Sequence, residues 1–355
     1  MGKKAKCIIV LHKSGADSHY RGLQCLADAR GIQLKYREFS VASRLFKSIV
    51  KLDGQLFVKQ WKNLFTLIEL RCTRNYVVVL GIAPYDRTLK RLRSIIKRHR
   101  IYYHTSWPVW DGDYFPKKKG VNSNVKAIWK NFIELQVSAV FTVTQQAKTS
   151  LLKHYVMTAD VHVVGHAYDP EDFHYDPLQA SERNGCLYVG RLVAQKGITE
   201  LLDFFKKYPA QRLTLIGDGP LVTVVQEAAD NFPNIQFFPA TKHNSDLNRL
   251  FNEHTYLLLN SQRSSKWQEL FGMVLIEAMA TGCIPIATAH IGPQEIIEHN
   301  KNGYLFSETT FMDELSLIIQ GYPNEAMIQD AMKRAAYFEI DNIAERWVPL
   351  LNTDS

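Results

Sequence analysis

Short apolar runs rich in β-branched residues alternate along the chain with segments of helical period. The runs that predict strands are, in order, CIIVL, YVVVL, IYYH, AVFTVT, VHVVG, CLYVG, RLTLIG, IQFFP, TYLLLN and IPIATA. Repeated strand-then-helix order is typical of parallel sheets joined by right-handed crossovers. We therefore predict an α/β protein built from two doubly wound parallel-sheet units.

A connector separates the two predicted units. The stretch AYDPEDFHYDPLQASERNG, between VHVVG and CLYVG, is rich in Pro, Asp and Ser. A chain of 355 residues also exceeds the usual size of one hydrophobic core. We place one domain at 1–165 and a second at 166–335. Aromatic residues among good helix formers from 324 to 351 predict terminal helices that pack on both domains, with residues near 336–355 returning to the first.

The composition is that of a globular protein, with 46% hydrophobic and 22% charged residues. Five cysteines without a C-x-x-C pair argue against a disulfide framework or a zinc knuckle. The apolar run after the basic start is too short for a secretion signal, and none approaches the ~20 residues of a spanning helix. We expect a cytoplasmic protein, with peripheral attachment to the inner face of the membrane as an extension of that expectation.

Charge is distributed unevenly behind the net value of +8. Residues 1–165 contain 29 Lys and Arg against 10 Asp and Glu, which gives +19, whereas residues 166–355 contain 14 against 25, which gives −11. Such segregation points to an anionic partner for the first half. A basic nucleic-acid-binding protein is one alternative, but no recognised nucleic-acid module is present, so we predict no nucleic-acid partner.

The segment from 264 to 297 contains the most informative pattern. Glu269 ends a polar loop, Gly272 precedes a helix that runs through Ala280, and Glu277 lies inside that helix. The start of such a helix favours an anion such as a phosphate, because free backbone N–H groups and the positive end of the dipole meet there. The two carboxylates could then hydrogen-bond hydroxyl groups on either side of that anion, or, alternatively, cap the helix and face water.

Two glycine-containing loops follow predicted strands in the same region. In CLYVGRLVAQKG, Arg191 and Lys196 could neutralise a diphosphate at the carboxyl edge of a sheet, unless the loop is simply solvated. In LTLIGDGPLV, Gly217 and Gly219 form a G-x-G turn, which indicates nucleotide binding only in combination with other motifs.

In this order, the three segments resemble the carboxyl-terminal domain of the retaining glycosyltransferases of family 4, which have the GT-B fold of two Rossmann-like domains facing across a cleft. The matching motifs are E-x7-E at Glu269 and Glu277, G-R-L-x-x-x-K-G at Gly190–Gly197, and G-x-G-P at Gly217–Pro220. The similarity covers residues 139–310. It implies transfer of a hexose from a nucleotide-diphosphate sugar to a glycan or glycolipid acceptor in cell-surface polysaccharide or glycolipid synthesis.

The resemblance also implies roles for individual residues. Arg191 and Lys196 would hold the diphosphate, Glu277 the ribose hydroxyls, and Glu269 the hydroxyls of the transferred sugar. His104, after the strand IYY, is similar in position to the family's histidine near the anomeric carbon, so His104 and Glu269 are the implied catalytic residues. The further donor-binding residues that it implies are Gly15, Gly217, Gly219, Phe271, Gly272 and Met273.

Two places depart from the family pattern. Residues 165–169 read GHAYD where the family reads P-N-G-V-D, and the amino-terminal glycine-rich loop is reduced to SGA at 14–16. We therefore expect the hinge and the acceptor side, which belongs to the amino-terminal domain, to differ from the family.

Two stretches of the first half suit an anionic membrane surface. The segment WPVWDGDYFPKKK, at 107–119, combines aromatic rings with a lysine run, and the helix 89–100 has an apolar face and a basic outer surface. Either could instead belong to an active-site loop or to a helix that merely covers a sheet.

No metal or cofactor is expected. Asp111 and Asp113 match D-x-D, a metal-binding motif of a different glycosyltransferase architecture, but two cations and a helix start already supply positive charge to the donor. A nucleotide-sugar epimerase of the same architecture is the alternative enzyme.

Overall fold

The computed structural model describes residues 7–13, 17–112, 121–241, 243–265 and 267–351. The chain forms two compact units. The first unit ends at Ala167 and is rejoined by the chain from Asp341 onward, whereas the second runs from Tyr168 to Ile340. The passage between them therefore lies in the connector that the sequence indicates.

The first unit contains six strands and six helices ahead of the connector. The strands are β1 Cys7–His12, β2 Gln33–Glu38, β3 Val77–Gly81, β4 Arg100–Thr105, β5 Ala139–Thr142 and β6 Asp160–Val163. The helices are α1 Arg21–Ala29, α2 Val41–Val50, α3 Gly54–Cys72, α4 Leu89–Ile96, α5 Ser123–Leu135 and α6 Gln145–His154, with a 3-10 turn at Asp17–Tyr20. The sheet is parallel, in the order β2-β1-β3-β4-β5-β6.

The second unit repeats this plan. Its strands are β7 Cys186–Val189, β8 Leu213–Gly217, β9 Ile235–Pro239, β10 Tyr256–Leu259, β11 Ile284–Thr288 and β12 Tyr304–Phe306. Its helices are α7 Pro177–Ala180, α8 Ile198–Lys207, α9 Val222–Asn231, α10 Asn244–Glu253, α11 Met273–Ala280, α12 Ile291–Ile296, α13 Phe311–Ile318 and α14 Glu325–Ala336, with a 3-10 turn at Ala194–Lys196. The parallel sheet has the order β12-β11-β10-β7-β8-β9.

The predicted α/β architecture of two parallel sheets is confirmed, and two edge strands are added to it. β2 carries three charged residues in six positions, and β12 has only three residues, so neither shows the apolar run by which the interior strands are recognised. The interior strand β3, by contrast, is buried along its whole length, as strands covered on both faces are.

The order of the second sheet places a topological switch point between β7 and β10. From β7 the chain proceeds outward through β8 and β9, then returns to the other side of β7 as β10, β11 and β12. The loops after β7 and β10 therefore leave the sheet in opposite directions and open a crevice at their carboxyl ends, where open α/β sheets bind ligands.

The carboxyl-terminal helices divide between the units. α14 packs on α11 of the second unit, whereas α15 (Ile340–Arg346) and a 3-10 turn at Val348–Leu351 lead into the first. There the ring of Trp347 is buried and stacks on Phe141 of β5 with centroids 4.6 Å apart. Among the described residues, no helix is both long enough and apolar enough to cross a membrane.

Candidate functional site

The glycine loops after β7 and β8 are packed directly on each other. A Cβ at Gly217 would lie 1.9 Å from the carbonyl oxygen of Gly190, so neither chain could approach so closely with a side chain there. The backbone N–H of Leu192 donates to the Asp218 carbonyl at 2.9 Å, and the N–H of Gly190 donates to Ile216 at 2.9 Å. The two predicted motifs therefore form one rigid double loop at the carboxyl edge of the sheet.

The end of the β7 loop is joined to the loop after β10. Gly197 has φ +62°, and a Cβ on it would lie 2.3 Å from the carbonyl oxygen of Asn260. The side-chain amide of Asn260 donates to the Gly197 carbonyl at 3.2 Å, and the N–H of Gln262 donates to Gln195 at 2.8 Å. These bonds hold the turn that carries Lys196 against the other side of the switch point.

Lys196 and Glu269, which lie 73 residues apart in sequence, meet in an ion pair at this crevice. Each side chain keeps 13% of its surface exposed. The hydroxyl of Ser261 donates to the same carboxylate oxygen of Glu269, Oε2, at 3.1 Å. The Lys196 ammonium also lies 5.4 Å from the ring centre of Trp267, within reach of a cation–π attraction. Two of the predicted site residues are thus brought together, with one carboxylate oxygen fully engaged.

The backbone of Glu269 is fixed by the segment that follows β11. Its N–H donates to Nδ1 of His290 at 3.0 Å, and its carbonyl accepts from the N–H of Gly292 at 3.2 Å. A Cβ on Gly292 would lie 2.3 Å from the N and Cα atoms of Phe271, so this position admits only glycine without a shift of the main chain.

The tautomer of His290 follows from these contacts. Nδ1 accepts the Glu269 N–H, so the neutral ring carries its proton on Nε2, which lies 3.1 Å from Oε1 of Glu308. Burial lowers the pKa of His290, and the nearby Glu308 carboxylate opposes that effect without reversing it. His290 is therefore a neutral linker between Glu308 and the backbone of Glu269.

The helix α11 begins beside this loop. Gly272 precedes it with φ +92°, a left-handed conformation that favours glycine, and no side chain caps the helix start. Uncapped N–H groups at a helix start are suited to an anion. Glu277 lies on the second turn, where it is half-buried rather than enclosed by the apolar residues around it.

The remaining donor-binding predictions have defined places. Arg191 is exposed on the double loop, where its own carbonyl accepts from the Tyr188 hydroxyl at 2.8 Å. Gly219 has φ +153°, and a Cβ on it would lie 2.5 Å from the Leu192 carbonyl. Phe271 is buried and packs edge-on against Phe338 at 5.7 Å, and Met273 is the first residue of α11. Gly15 lies outside the described residues.

His104, in the first unit, is enclosed by rings. It is 5% exposed on β4, with Tyr20 at 4.8 Å, Trp347 at 5.4 Å and His166 at 6.4 Å between ring centres. Its Nε2 has no hydrogen-bond partner in the described part of the chain. Burial, with His166 and His19 adding to it, holds the pKa of His104 well below its usual value, so the imidazole is neutral.

Two surface predictions need correction. Trp110 of the aromatic segment 107–119 is 1% exposed and packs against Tyr103 at 6.1 Å, so it is a core residue and not an interfacial one. The helix predicted at 89–100 ends at Ile96, because Arg100 already belongs to β4, and its apolar face is turned into the unit. Asp111 is exposed, whereas Asp113 and the lysine run 117–119 lie outside the described residues.

No group of three or more His, Cys, Asp or Glu side chains suited to a metal ion occurs within the described residues. The five cysteines are all free thiols.

Several site residues were not predicted from the sequence. They are Asn260, Ser261, Trp267, His290, Gly292 and Glu308. Ser261 and His290 each stand just after the end of a central strand, β10 and β11, which is the position that singled out His104. That rule could have found them, but the other four depend on loop contacts that no spacing reveals.

Comparisons with known proteins point in one direction. A family model described as "Glycosyl transferases group 1" matches residues 169–337. One of the polypeptides of human phosphatidylinositol N-acetylglucosaminyltransferase is 27% identical over 147 residues, which are 39% of this chain and 29% of that protein. The amylovoran biosynthesis glycosyltransferase AmsD of Erwinia amylovora is 26% identical over 227 residues, 60% of this chain and 62% of that protein. The chain thus spans less than two thirds of either curated relative.

A solved structure matches over nearly the whole chain. The crystal structure of Anabaena Alr3699/HepE in complex with UDP superposes with a TM-score of 0.67 at 16% sequence identity, covering 97% of this chain and 99% of that one. With the two six-stranded parallel sheets, this likeness confirms the predicted GT-B fold class.

Proposed function

Since residues 169–337 belong to the glycosyl transferases group 1 family, we propose that the protein is a retaining glycosyltransferase of family 4. It moves a hexose from a nucleotide-diphosphate sugar to a glycan or glycolipid acceptor, in cell-surface polysaccharide or glycolipid synthesis. The bond between the anomeric carbon and the diphosphate oxygen breaks, the nucleoside diphosphate leaves with the electron pair, and the acceptor oxygen bonds to the sugar and loses its proton. The relatives named for a phosphatidylinositol substrate and for amylovoran support the two acceptor classes.

The observation that carries the proposal is the Lys196–Glu269 pair at the switch point of the second sheet. Lys196, with Arg191 on the same loop and the uncapped start of α11, supplies positive charge for a diphosphate. Leaving-group stabilisation should dominate the rate, because negative charge develops on the diphosphate in the transition state.

The carboxylates act on hydroxyl groups. Both hydrogen bonds that Glu269 accepts through its side chain within the described residues reach Oε2, so Oε1 can accept from a hydroxyl of the transferred sugar. Glu277 binds the ribose, and the N–H groups of Phe271, Gly272 and Met273 meet the phosphates or the sugar. We propose that His104 contacts the transferred sugar as a neutral imidazole.

A donor screen is the first test. Melting temperatures are measured with UDP-, GDP-, ADP- and dTDP-sugars, because a ligand that binds only the folded state raises the melting temperature. We expect one nucleotide class to stabilise the protein and Arg191→Ala to abolish that shift. Glu171→Ala, an exposed change on the connector, is the control that should keep it. A protein that no nucleotide sugar stabilises would contradict the proposal.

Turnover separates the alternatives. Arg191→Ala and Lys196→Ala should each lower kcat/KM by the equivalent of ~2 to 4 kcal/mol. NMR of the product should show the anomeric configuration of the donor. An epimerase would convert the donor in the absence of acceptor. A nucleic-acid-binding protein would show steeply salt-dependent binding of nucleic acid without turnover.

We propose that transfer requires no metal or other cofactor. Loss of all transfer in EDTA, with recovery on adding a divalent ion, would contradict this. The first unit, with its basic surface, is proposed to bind the acceptor and to contact an anionic membrane from the cytoplasmic side.

A further inference from the structure

The helical hairpin formed by α2 and α3, residues 41–72, has its polarity reversed. Buried positions on α3 follow the spacing 60, 63, 66 and 70, and three of them are the polar residues Gln60, Asn63 and Thr66. A helix that covers a sheet normally presents an apolar stripe inward and polar residues outward. Here the inward stripe is mostly polar, so the apolar residues of the hairpin must lie elsewhere.

A hydrogen-bonded seam explains how the polar face is buried. Glu38 of β2, 2% exposed, accepts from the Gln60 amide at 2.8 Å and forms ion pairs with Arg44 at 2.7 Å and Lys59 at 2.9 Å. Asn63 accepts from the Glu38 backbone N–H at 3.2 Å. Burial alone would raise the pKa of Glu38, but the bonds from Gln60, Lys59 and Arg44 outweigh it and lower that pKa. The seam therefore fixes which face of α3 points inward.

The opposite face of α3 is an exposed aromatic stripe. Phe57, Trp61, Phe65 and Ile68 follow the spacing i, i+4, i+8 and i+11, on the side of the helix away from the seam. All four are exposed, Phe65 by 63%, and the rings form a continuous row with centres 6.1 Å and 5.9 Å apart.

α2 extends the same surface. Arg44 reaches in to Glu38, while Phe46, Ile49 and Val50 lie on the other side of the helix and are exposed, Phe46 by 69%. Because both helices turn one side to Glu38, their apolar sides both face away from it. An apolar surface of this kind, contributed by two helices, marks an interaction site on a folded protein.

The charge around this surface is positive. Residues 41–74 contain seven Lys and Arg against two Asp and Glu. The two acidic residues are engaged locally, Asp53 as the cap of α3 and Glu69 with the Tyr76 hydroxyl. Lys47, Lys51 and Lys62 are exposed beside the apolar residues. Aromatic and aliphatic side chains bordered by lysines are the pattern of helices that lie in the interface of an anionic bilayer.

We propose that the α2–α3 hairpin is the membrane-docking element of this protein, and that it lies flat in the headgroup region of an anionic lipid surface. A second copy of the chain is the less favourable occupant, because a symmetric dimer would place two surfaces of the same positive charge against each other. The inference deepens the membrane contact proposed above. It is tested without donor or acceptor, so it succeeds or fails independently of sugar transfer.

The docking test uses sedimentation with vesicles of phosphatidylcholine alone or with 30% phosphatidylglycerol. We expect binding to the anionic vesicles, weakened by about tenfold or more in Phe46→Ser/Phe65→Ser. Leu135→Ser/Val156→Ser removes two comparably exposed apolar side chains of the same unit and should bind as the wild type does. Lys47→Gln/Lys62→Gln should weaken binding by about fivefold for each lysine removed. Unchanged circular dichroism and melting temperature confirm folding.

Tryptophan quenching locates the contact. Brominated lipid in the anionic vesicles should quench the fluorescence contributed by Trp61, which is the difference between the wild type and Trp61→Phe. Equal vesicle binding by Phe46→Ser/Phe65→Ser and the wild type would overturn the proposal, as would absence of binding or indifference to the anionic lipid. A dimer in sedimentation velocity that this variant dissociates, without vesicle binding by the wild type, would identify a second copy as the occupant.

Discussion

His290 holds Glu269 through one ring nitrogen, and the two nitrogens can be removed separately. Nδ1 accepts the Glu269 N–H at 3.0 Å, and Nε2 faces Glu308 at 3.1 Å. Asparagine places its amide group close to the position of Nδ1, whereas glutamine reaches the position of Nε2. His290→Asn should therefore keep the bond to Glu269 and lose the contact with Glu308, and His290→Gln should do the reverse.

The difference between these variants measures the positioning of Glu269. In His290→Gln the Glu269 N–H loses its acceptor in a half-buried loop, at a cost of about 1 to 3 kcal/mol. A shift of the carboxylate by about 1 Å would lower the rate about 100-fold, as misplacement of a reacting group typically does. We expect kcat/KM to fall ~10 to 100-fold in His290→Gln, with most of the loss in kcat, and to stay within about fivefold of the wild type in His290→Asn.

The pH–rate profile adds an independent readout. Protonation of Nδ1 would set two N–H donors against each other and release the Glu269 backbone. Because burial lowers the pKa of His290, this loss should begin below the usual range of histidine, and His290→Asn should lack that acidic limb. If His290→Gln and His290→Asn had equal kcat/KM and the same pH profile as the wild type, His290 would have no positioning role.

Three further outcomes follow from the packing. Gly292→Ala should lower the melting temperature and kcat/KM together, because its Cβ would lie 2.3 Å from the Phe271 backbone, whereas Gly321→Ala, with 3.9 Å to its nearest neighbour, should lower neither. His104 and His166 are buried with lowered pKa values, His166 to about 3, so only the unfolded chain binds their protons below pH ~6.5. The free energy of unfolding should then fall by up to ~1.4 kcal/mol per pH unit for each, and equal stability at pH 7 and pH 5 in urea denaturation would contradict this. Trp347→Ala should cost the first unit about 3 to 5 kcal/mol, seen as a lower denaturation midpoint, while exposed Tyr322→Ala should leave that midpoint unchanged.

The interior of both sheets follows from the sequence because its signal is local. Buried strands such as β3 and β10 consist of apolar residues throughout, and the pattern ends where the strand ends. The start of α11 was predictable for the same reason, since Gly272 and Gly282 delimit it. The edge strand β2 has no such signal, because its charged residues include Glu38, whose burial depends on partners from two later helices.

The hairpin shows the limit of periodicity most clearly. The stripe of Phe57, Trp61, Phe65 and Ile68 has the helical spacing by which core faces are ordinarily assigned, yet the structure turns it outward. Spacing identifies the two faces of a helix, but only the polar seam to Glu38 decides which face is inside. His290 was missed for a related reason, since its importance comes from the loop that it holds and not from the motif beside it.

The charge balance of the candidate site has a consequence for Arg191 and Lys196. Lys196 is neutralised by Glu269, so it cannot on its own offset the charge of an incoming diphosphate. The exposed guanidinium of Arg191 and the uncapped start of α11 must supply the difference, and Lys196 shares its charge between the phosphate and the carboxylate that orients the sugar. Loss of Arg191 should therefore weaken donor binding alone. Loss of Lys196 also leaves the Glu269 carboxylate, 13% exposed, without its cation, so this change should destabilise the loop as well. A site built in this way couples the leaving group to the transferred sugar through one side chain.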